Sequence, residues 1–502
     1  MNKVLKGLVA VAATAAMAIA GVAGAASATA AENNYDITVP STDTHTYSVY
    51  QVFTGDLSNG TLSNIKAGHN FNTNNEKGKS AADAAAEIAQ NTSADTDNTA
   101  RLAAITPYVD LTATAFGEVS ARASLSAPAG YYLLKDKDAV TGDDAATLFI
   151  VQVNGPVTVN RKADKPSFEK KVQDVNDSTG DKSGWQDSAD YDVNDDVPFQ
   201  LTATLPSDAN DFAAYKTYKL VFHDNQSAGL TFKPETVVVK YEGTTLNTES
   251  YTLDQNPTDG HTFDITISNA KSVKDTDGAP ITVANGGKFT VEYKSTLNAN
   301  AEIGSKGNPN EASLEFSNNP NVGGEGNTGK TPTDKVIVFT YQLDINKTFN
   351  GGTPDDSDLP EFTLYKFDST TNDYTTNLGK VNITKTADGK YTASFKRVDD
   401  GKYKLVETKT PAGFNTAADT TFEITADHDV TSIDPKLTSL KINSTDGNTT
   451  TGTVVADVVN QKGSNLPSTG GMGTTILYAA GAAIVLVAAF GIAFAVRRRN
   501  AR

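Results

Sequence analysis

Short runs that alternate apolar and polar residues recur along most of this chain, and they leave few architectures open. Phe199-Gln200-Leu201-Thr202-Ala203, Thr236-Val237-Val238-Val239-Lys240-Tyr241 and Val336-Ile337-Val338-Phe339-Thr340-Tyr341 are examples. Successive side chains of an extended strand point to opposite faces, so such a run offers one apolar face and one wet one. Asp, Asn, Gly and Pro punctuate the runs at short intervals, the pattern of antiparallel β-sandwiches. Helical periodicity is nearly confined to 79–90 and 97–105. The expectation is an all-β chain of tandem immunoglobulin-like sandwiches, with short helices in the first.

Polar, turn-rich stretches divide the chain. Lys162-Ala163-Asp164-Lys165-Pro166 is the first, Asn319-Pro320-Asn321-Val322-Gly323-Gly324 opens the second, and Gln461-Lys462-Gly463-Ser464-Asn465 is the third. They predict units at 31–164, 166–333 and 334–462. Both ends carry address signals. Lys3 and Lys6 precede an apolar segment, 7–24, followed by Ala26-Ser27-Ala28 and Ala28-Thr29-Ala30, so 1–30 reads as an export signal with two alternative cleavage sites. At the other end, Leu466-Pro467-Ser468-Thr469-Gly470 precedes an apolar run of 21 residues, 476–496, and then Arg497-Arg498-Arg499-Asn500-Ala501-Arg502. About 20 apolar residues cross a bilayer as a helix, and flanking arginines hold its cytoplasmic side.

Charge and cysteine content narrow the possibilities. The formal net charge is −17, and loss of both end segments removes six more positive charges, giving −23. A chain so acidic does not seek nucleic acid or anionic lipid. There is no cysteine, so durability outside the cell cannot come from disulfides. The five histidines, His45, His69, His223, His261 and His428, show no ligand spacing, and the expectation is no metal and no cofactor. Asp192-x-Asn194-x-Asp196 lacks the glycine and glutamate of a calcium loop and reads as a turn. No nucleophile elbow or phosphate loop is present, which argues against an enzyme. Trp185 reads as a packing residue.

Alternation also sends charged groups inward. Lys347 shares the face of Tyr341, Leu343 and Ile345; Lys170 shares that of Phe168 and Val172, while Lys171 faces water. A buried lysine is driven toward its neutral, nucleophilic form. In-phase asparagines follow, Asn318 after Leu314 and Phe316, and Asn460 after Val454, Ala456 and Val458. In-facing acids complete each set, Glu407 beside Tyr403 and Leu405, and Asp224 after Tyr218, Leu220 and Phe222. A buried carboxylic acid tends to stay protonated and can polarise an amide during attack. The products would be Lys–Asn isopeptide bonds. Alternation alone favours in-facing polar residues satisfied by hydrogen bonds.

Several motifs resemble those of Gram-positive sortase-assembled major pilins. Leu466-Pro467-Ser468-Thr469-Gly470 with its helix and basic tail resembles their cell-wall sorting signal, which implies cleavage between Thr469 and Gly470. Tyr403-x-Leu405-x-Glu407-Thr408-x-x-Pro411-x-Gly413-Phe414 is similar to their E-box, and implies Glu407 as the catalytic acid. Leu314-Glu315-Phe316-Ser317-Asn318-Asn319-Pro320 and Val459-Asn460 resemble their asparagine segments. Tyr50-Gln51-Val52-Phe53-Thr54-Gly55 and Ala129-Gly130-Tyr131-Tyr132-Leu133-Leu134 resemble their first domain. The likeness implies collagen-adhesin-type immunoglobulin-like domains with bonds Lys347–Asn460 (Glu407) and Lys170–Asn318 (Asp224).

It also implies a polymerising lysine. Val153-Asn154-Gly155-Pro156-Val157-Thr158-Val159-Asn160-Arg161-Lys162 keeps the two valines and lysine of the pilin motif but not its Trp, Tyr and Pro; Lys162 is favoured over Lys165. Implied partners are identical subunits, a class C pilin sortase and a housekeeping sortase, peptidoglycan, minor or tip pilins and host-surface ligands. The rival is a monomeric wall-anchored adhesin or minor pilin.

Overall fold

The computed structural model describes residues 34–463, apart from 59–60, 93–103, 141, 143, 160–163, 209–211 and 321–326. The export signal, Lys162, and everything from Ser464 through the sorting signal to Arg502 lie outside the described residues. What is described is overwhelmingly strand, in three successive groups of sheets.

In the first group, Thr61–Ala67, Thr46–Ser58, Gly130–Asp136 and Leu148–Val153 form one sheet in that order, with Gly117–Ser120 on Thr46–Ser58. Gly130–Asp136 is buried along nearly its whole length because both its faces are covered. Tyr131 and Leu133 join a core with the Ala81–Thr92 helix, whereas Tyr132 and Leu134 pack with Ile37 of a small three-stranded sheet. The helix presents Ala81, Ala84, Ala85 and Ile88 inward, one stripe at 3.6-residue spacing. Ser80 caps it, its Oγ accepting from Asp83 N–H at 3.2 Å.

The middle unit is a sandwich of a six-stranded and a seven-stranded sheet. The first runs Lys182–Gln186, Ser167–Val175, Asp196–Thr204, Lys288–Leu297, Leu230–Tyr241, Thr244–Thr245. The second runs Ser188–Asp190, Asp334–Phe339, Asn308–Ser317, Leu220–Gln226, Phe263–Ile267, Thr252–Asp254, with Thr328–Lys330 on Asn308–Ser317. Along Asp196–Thr204 burial alternates residue by residue, with Val197, Phe199, Leu201 and Ala203 inside. Trp185 differs from its expected packing role: it lies on the edge strand and is 37% exposed.

In the C-terminal unit, Thr384–Lys385, Tyr391–Val398, Tyr341–Asn350 and Thr453–Gln461 face a six-stranded sheet centred on Glu361–Asp368, Gly401–Lys409 and Thr420–His428. Its last strand, Thr453–Gln461, lies parallel to its first, Tyr341–Asn350. The expected start of this unit at 334 shifts. Asp334–Phe339 is hydrogen-bonded to Asn308–Ser317 and Ser188–Asp190 of the middle unit, so the single run read at 336–341 is two strands in different sheets. Thr340, fully buried, is the crossing point.

Candidate functional site

Two lysines lie fully inside the sandwiches, each with an acid and an asparagine. In the C-terminal unit Lys347 is 2% exposed. It sits opposite Val458 in the parallel ladder, and Asn460, one step further along the same inward face, sits opposite Phe349. Glu407 reaches them from the Gly401–Lys409 strand of the facing sheet. Its Oε2 accepts from Asn460 Nδ2 at 2.9 Å and from the Ala417 N–H at 2.5 Å. The Asn460 amide also donates to the Asn415 carbonyl at 2.6 Å. The ammonium position of Lys347 is walled by Phe349 and Phe362, their ring centroids 5.0 and 6.0 Å away. Burial lowers the Lys347 amine to about 8, against an opposing pull from Glu407.

In the middle unit Lys170 is wholly buried, and Phe199 and Tyr293 cover it at 5.4 and 5.5 Å. Its Nζ lies 2.5 Å from Asp224 Oδ2 and 2.9 Å from the Tyr293 hydroxyl. Tyr293 in turn donates to Asp224 Oδ2 at 2.7 Å and accepts from the Asn310 amide at 2.9 Å. Desolvation lowers the Lys170 amine, with Asp224 opposing.

The asparagine beside Lys170 is therefore Asn310, not Asn318. Asn308, Asn310 and Asn318 have the same parity as Leu314 and Phe316, so alternation cannot choose among them. Register does. Asp224 pairs with Ala312, one inward step from Asn310 and three from Asn318, a separation of about 20 Å along a strand. Asn318 sits at the opposite end, where its amide donates to the Asp144 carbonyl of the first unit at 3.3 Å. Asn308 is spent on the backbone of Glu302 and Val338. Tyr293, which sequence reading did not single out, gave only the signal of an in-phase aromatic.

Hydrogen-bond accounting marks both sets. Asp224 Oδ1, Asn310 Oδ1, Glu407 Oε1 and Asn460 Oδ1 are buried without a hydrogen bond, as is Asn318 Oδ1, which has no buried lysine beside it. An unmade bond of this kind costs about 1–3 kcal/mol. Each asparagine of the two sets thus presents an amide held through its nitrogen while its carbonyl oxygen is unengaged, beside a desolvated amine. Among the described residues of the first unit no lysine is buried. Lys171 is half-buried and paired with Asp187 at 2.5 Å and Glu169 at 3.2 Å. Lys165 lies in the described junction; Lys162 and Leu466, Pro467, Ser468, Thr469 and Gly470 do not.

The turn at Asp192-x-Asn194-x-Asp196 is a turn, with Asn194 at a φ of 75°. Its Asp192 carboxylate is committed to Lys366 at 2.7 Å and to the Asp399 N–H at 2.9 Å. Three of the five histidines, which show no ligand spacing in sequence, are gathered with carboxylates by the fold, His223 and His261 with Asp259 and Asp264, and His428 with Asp174 and Asp190.

Two stretches of the chain match known families. Residues 359–455 match the SpaA prealbumin-like fold domain, and 458–501 match the LPXTG cell wall anchor motif. A domain of that type directly ahead of that anchor defines a surface protein held in the Gram-positive cell wall. Within that class the chain is similar to pilins. It is 28% identical over 288 residues to the trypsin-resistant surface T6 protein of Streptococcus pyogenes serotype M6. That match takes in 53% of this chain and 46% of the streptococcal one, so the chain spans about half the length of this relative. Among solved structures, the T6 backbone pilin of serotype M6 Streptococcus pyogenes is 19% identical with a TM-score of 0.49, covering 86% of this chain and 99% of that one. The full-length major pilin SpaD from Corynebacterium diphtheriae is 18% identical with a TM-score of 0.44, covering 86% and 98%.

Proposed function

We propose that this protein is the repeating shaft subunit of a covalent pilus, and that two internal isopeptide bonds harden it. The observation that carries the reading is the pair of sealed lysine–acid–asparagine sets, each with an amide carbonyl left unengaged. In the C-terminal unit the Lys347 amine attacks Cγ of Asn460. The new C–N bond replaces the Cγ–Nδ2 bond, Glu407 relays a proton from the amine to the departing nitrogen, and ammonia leaves. In the middle unit Lys170 attacks Asn310 in the same way, with Asp224 as relay and Tyr293 holding the amide. The chain is both catalyst and product of a single turnover, so it needs no cofactor.

Between subunits the chemistry is supplied from outside. A pilin sortase breaks the Thr469–Gly470 amide, holds Thr469 as a thioester, and passes it to the Lys162 amine of the next copy. A head-to-tail contact of that kind does not close and yields a filament. A housekeeping sortase transfers the last copy to peptidoglycan, and the fibre supports adhesion.

Immunoblots of wall extracts boiled in detergent test the polymer. A ladder of high-mass species that Lys162→Ala or Thr469→Ala abolishes is the expected result. A ladder lost only in Lys165→Ala moves the joint to that residue, and a single band means a monomeric anchored adhesin. Intact mass tests the internal bonds separately: the protein should be two ammonia lighter than its sequence, and Glu407→Ala should restore one of them.

A further inference from the structure

The outward face of the middle unit carries a set of groups that the covalent chemistry leaves unused. His223, on Leu220–Gln226, stands directly opposite Asp264 of Phe263–Ile267, and the turn holding Asp259 and His261 leads into that same strand. Each of these four side chains brings one nitrogen or oxygen to within 4.8 Å of the others. His223 Nδ1 lies 2.8 Å from Asp264 Oδ1 and 3.7 Å from Asp259 Oδ2. His261 Nδ1 lies 3.0 Å from Asp259 Oδ2 and 3.3 Å from Asp264 Oδ1. Four donors around a tetrahedral ion with bonds of about 2.0–2.1 Å stand roughly 3.3 Å apart.

Two further observations point to a shared centre. His261 Nδ1 is buried and, close as it is to two carboxylates, is aligned for a hydrogen bond with neither. A ring nitrogen this close to two carboxylate oxygens without a hydrogen bond to either can share an ion with them. His223 is 6% exposed and turns its other nitrogen, Nε2, to Glu315 Oε2 at 3.4 Å. Its Nδ1 shares a hydrogen bond with Asp264 Oδ1 at 2.8 Å; a carboxylate behind a ligating histidine holds the outer nitrogen's proton, so an ion can take the place of the proton in that inner contact. Lys219 holds that carboxylate at 2.9 Å, and Asp259 occupies its second oxygen with the His261 N–H at 3.3 Å.

We propose that His223, Asp259, His261 and Asp264 bind a divalent transition-metal ion of the zinc class, with Glu315 as the positioning residue. Two imidazoles and two carboxylates suit zinc, whereas calcium takes six to eight oxygens. Four protein ligands close the coordination shell, so the ion is structural and pins the turn ahead of Phe263–Ile267 to the sheet. The acidic set at Asp177, Asp192, Asp195 and Asp399 is different, because the Lys366 ammonium already sits among its carboxylates.

The test uses purified protein stripped with EDTA and titrated with Zn2+ by calorimetry and with Co2+ by visible absorption. One equivalent of each is expected to bind, Co2+ with the intense bands of tetrahedral coordination. His261→Gln and, independently, Asp259→Asn on the half-exposed turn should lose that equivalent. Glu315→Gln should weaken it about 10–100-fold, while His428→Gln should leave it in place. No saturable binding, an octahedral Co2+ spectrum, or an equivalent that survives both turn variants overturns the proposal.

Discussion

Lys170 shows how far burial and pairing compete at a single residue. Removing an ammonium from water costs several kcal/mol, and Asp224 at 2.5 Å returns part of it. Among walls of Phe199 and Tyr293 the balance still lowers the amine, which makes attack on a nearby amide accessible. Because Asn310 is the amide within reach, Asn310→Ala should be one ammonia, not two, lighter than its own sequence mass, whereas Asn318→Ala should keep both losses. Tyr293→Phe removes the only hydroxyl that joins Lys170, Asp224 and Asn310 among the described contacts. It should slow bond formation, seen by mass spectrometry as an unbonded fraction that declines with time. The reading from sequence reached Lys170 and Asp224 by parity but missed Asn310, since parity is shared by every second residue of a strand.

At the scale of elements, the consequence lies in which strands are joined. Lys347 and Asn460 sit on the first and last strands of the C-terminal unit, which run parallel, so a pull on the ends shears that pairing directly. A bond there closes a long loop and, treated like a disulfide, is worth about 4–5 kcal/mol. Asn460→Ala should lower stability by that order in guanidinium unfolding and expose the Thr453–Gln461 strand to trypsin. In the middle unit Lys170 and Asn310 belong to opposite sheets, so their bond would staple the sandwich through its core. The helix of the first unit depends on smaller effects. Ser80→Ala should cost about 1 kcal/mol by removing its cap, measured as a shift in Tm.

Across the whole molecule, the middle and C-terminal units meet over buried charge. Lys366 is fully buried with Asp192 at 2.7 Å, Asp399 at 2.5 Å and Asp177 at 3.2 Å, and burial opposes its charge while Asp399 and Asp192 hold its pKa well up. Lys366→Met strands carboxylates in the interior and should cost about 3–5 kcal/mol, separating the melting of the two units in calorimetry. Desolvation, then the charge of Asp192, pushes Asp195 up to about 7, and Asp174 and Asp400 are raised for like reasons. Desolvation opposes charge on His428, yet Asp190, Asp174 and Asp400 raise its pKa. All of these groups bind protons more tightly folded than unfolded. Their contribution is greatest at acid pH and is lost as pH climbs through about 7. The Tm of this contact should therefore fall between pH 5 and pH 8. A Tm that rises over that range would contradict the assignment.

Alternation and turn chemistry, which depend only on the local period of a strand, determined the all-β class, the inward lysines and the inward acids. The end motifs, being contiguous, were legible at once. Register and strand exchange were not: Asn310 opposite the Asp224 neighbourhood, Asp334–Phe339 in the middle unit, and Lys366 among the acids of another unit all depend on pairings between distant segments. The histidine cluster has the same origin. His223 and Asp264 are far apart in the chain and meet only because two antiparallel strands align them, and no spacing rule along one strand can encode what its neighbour places alongside it.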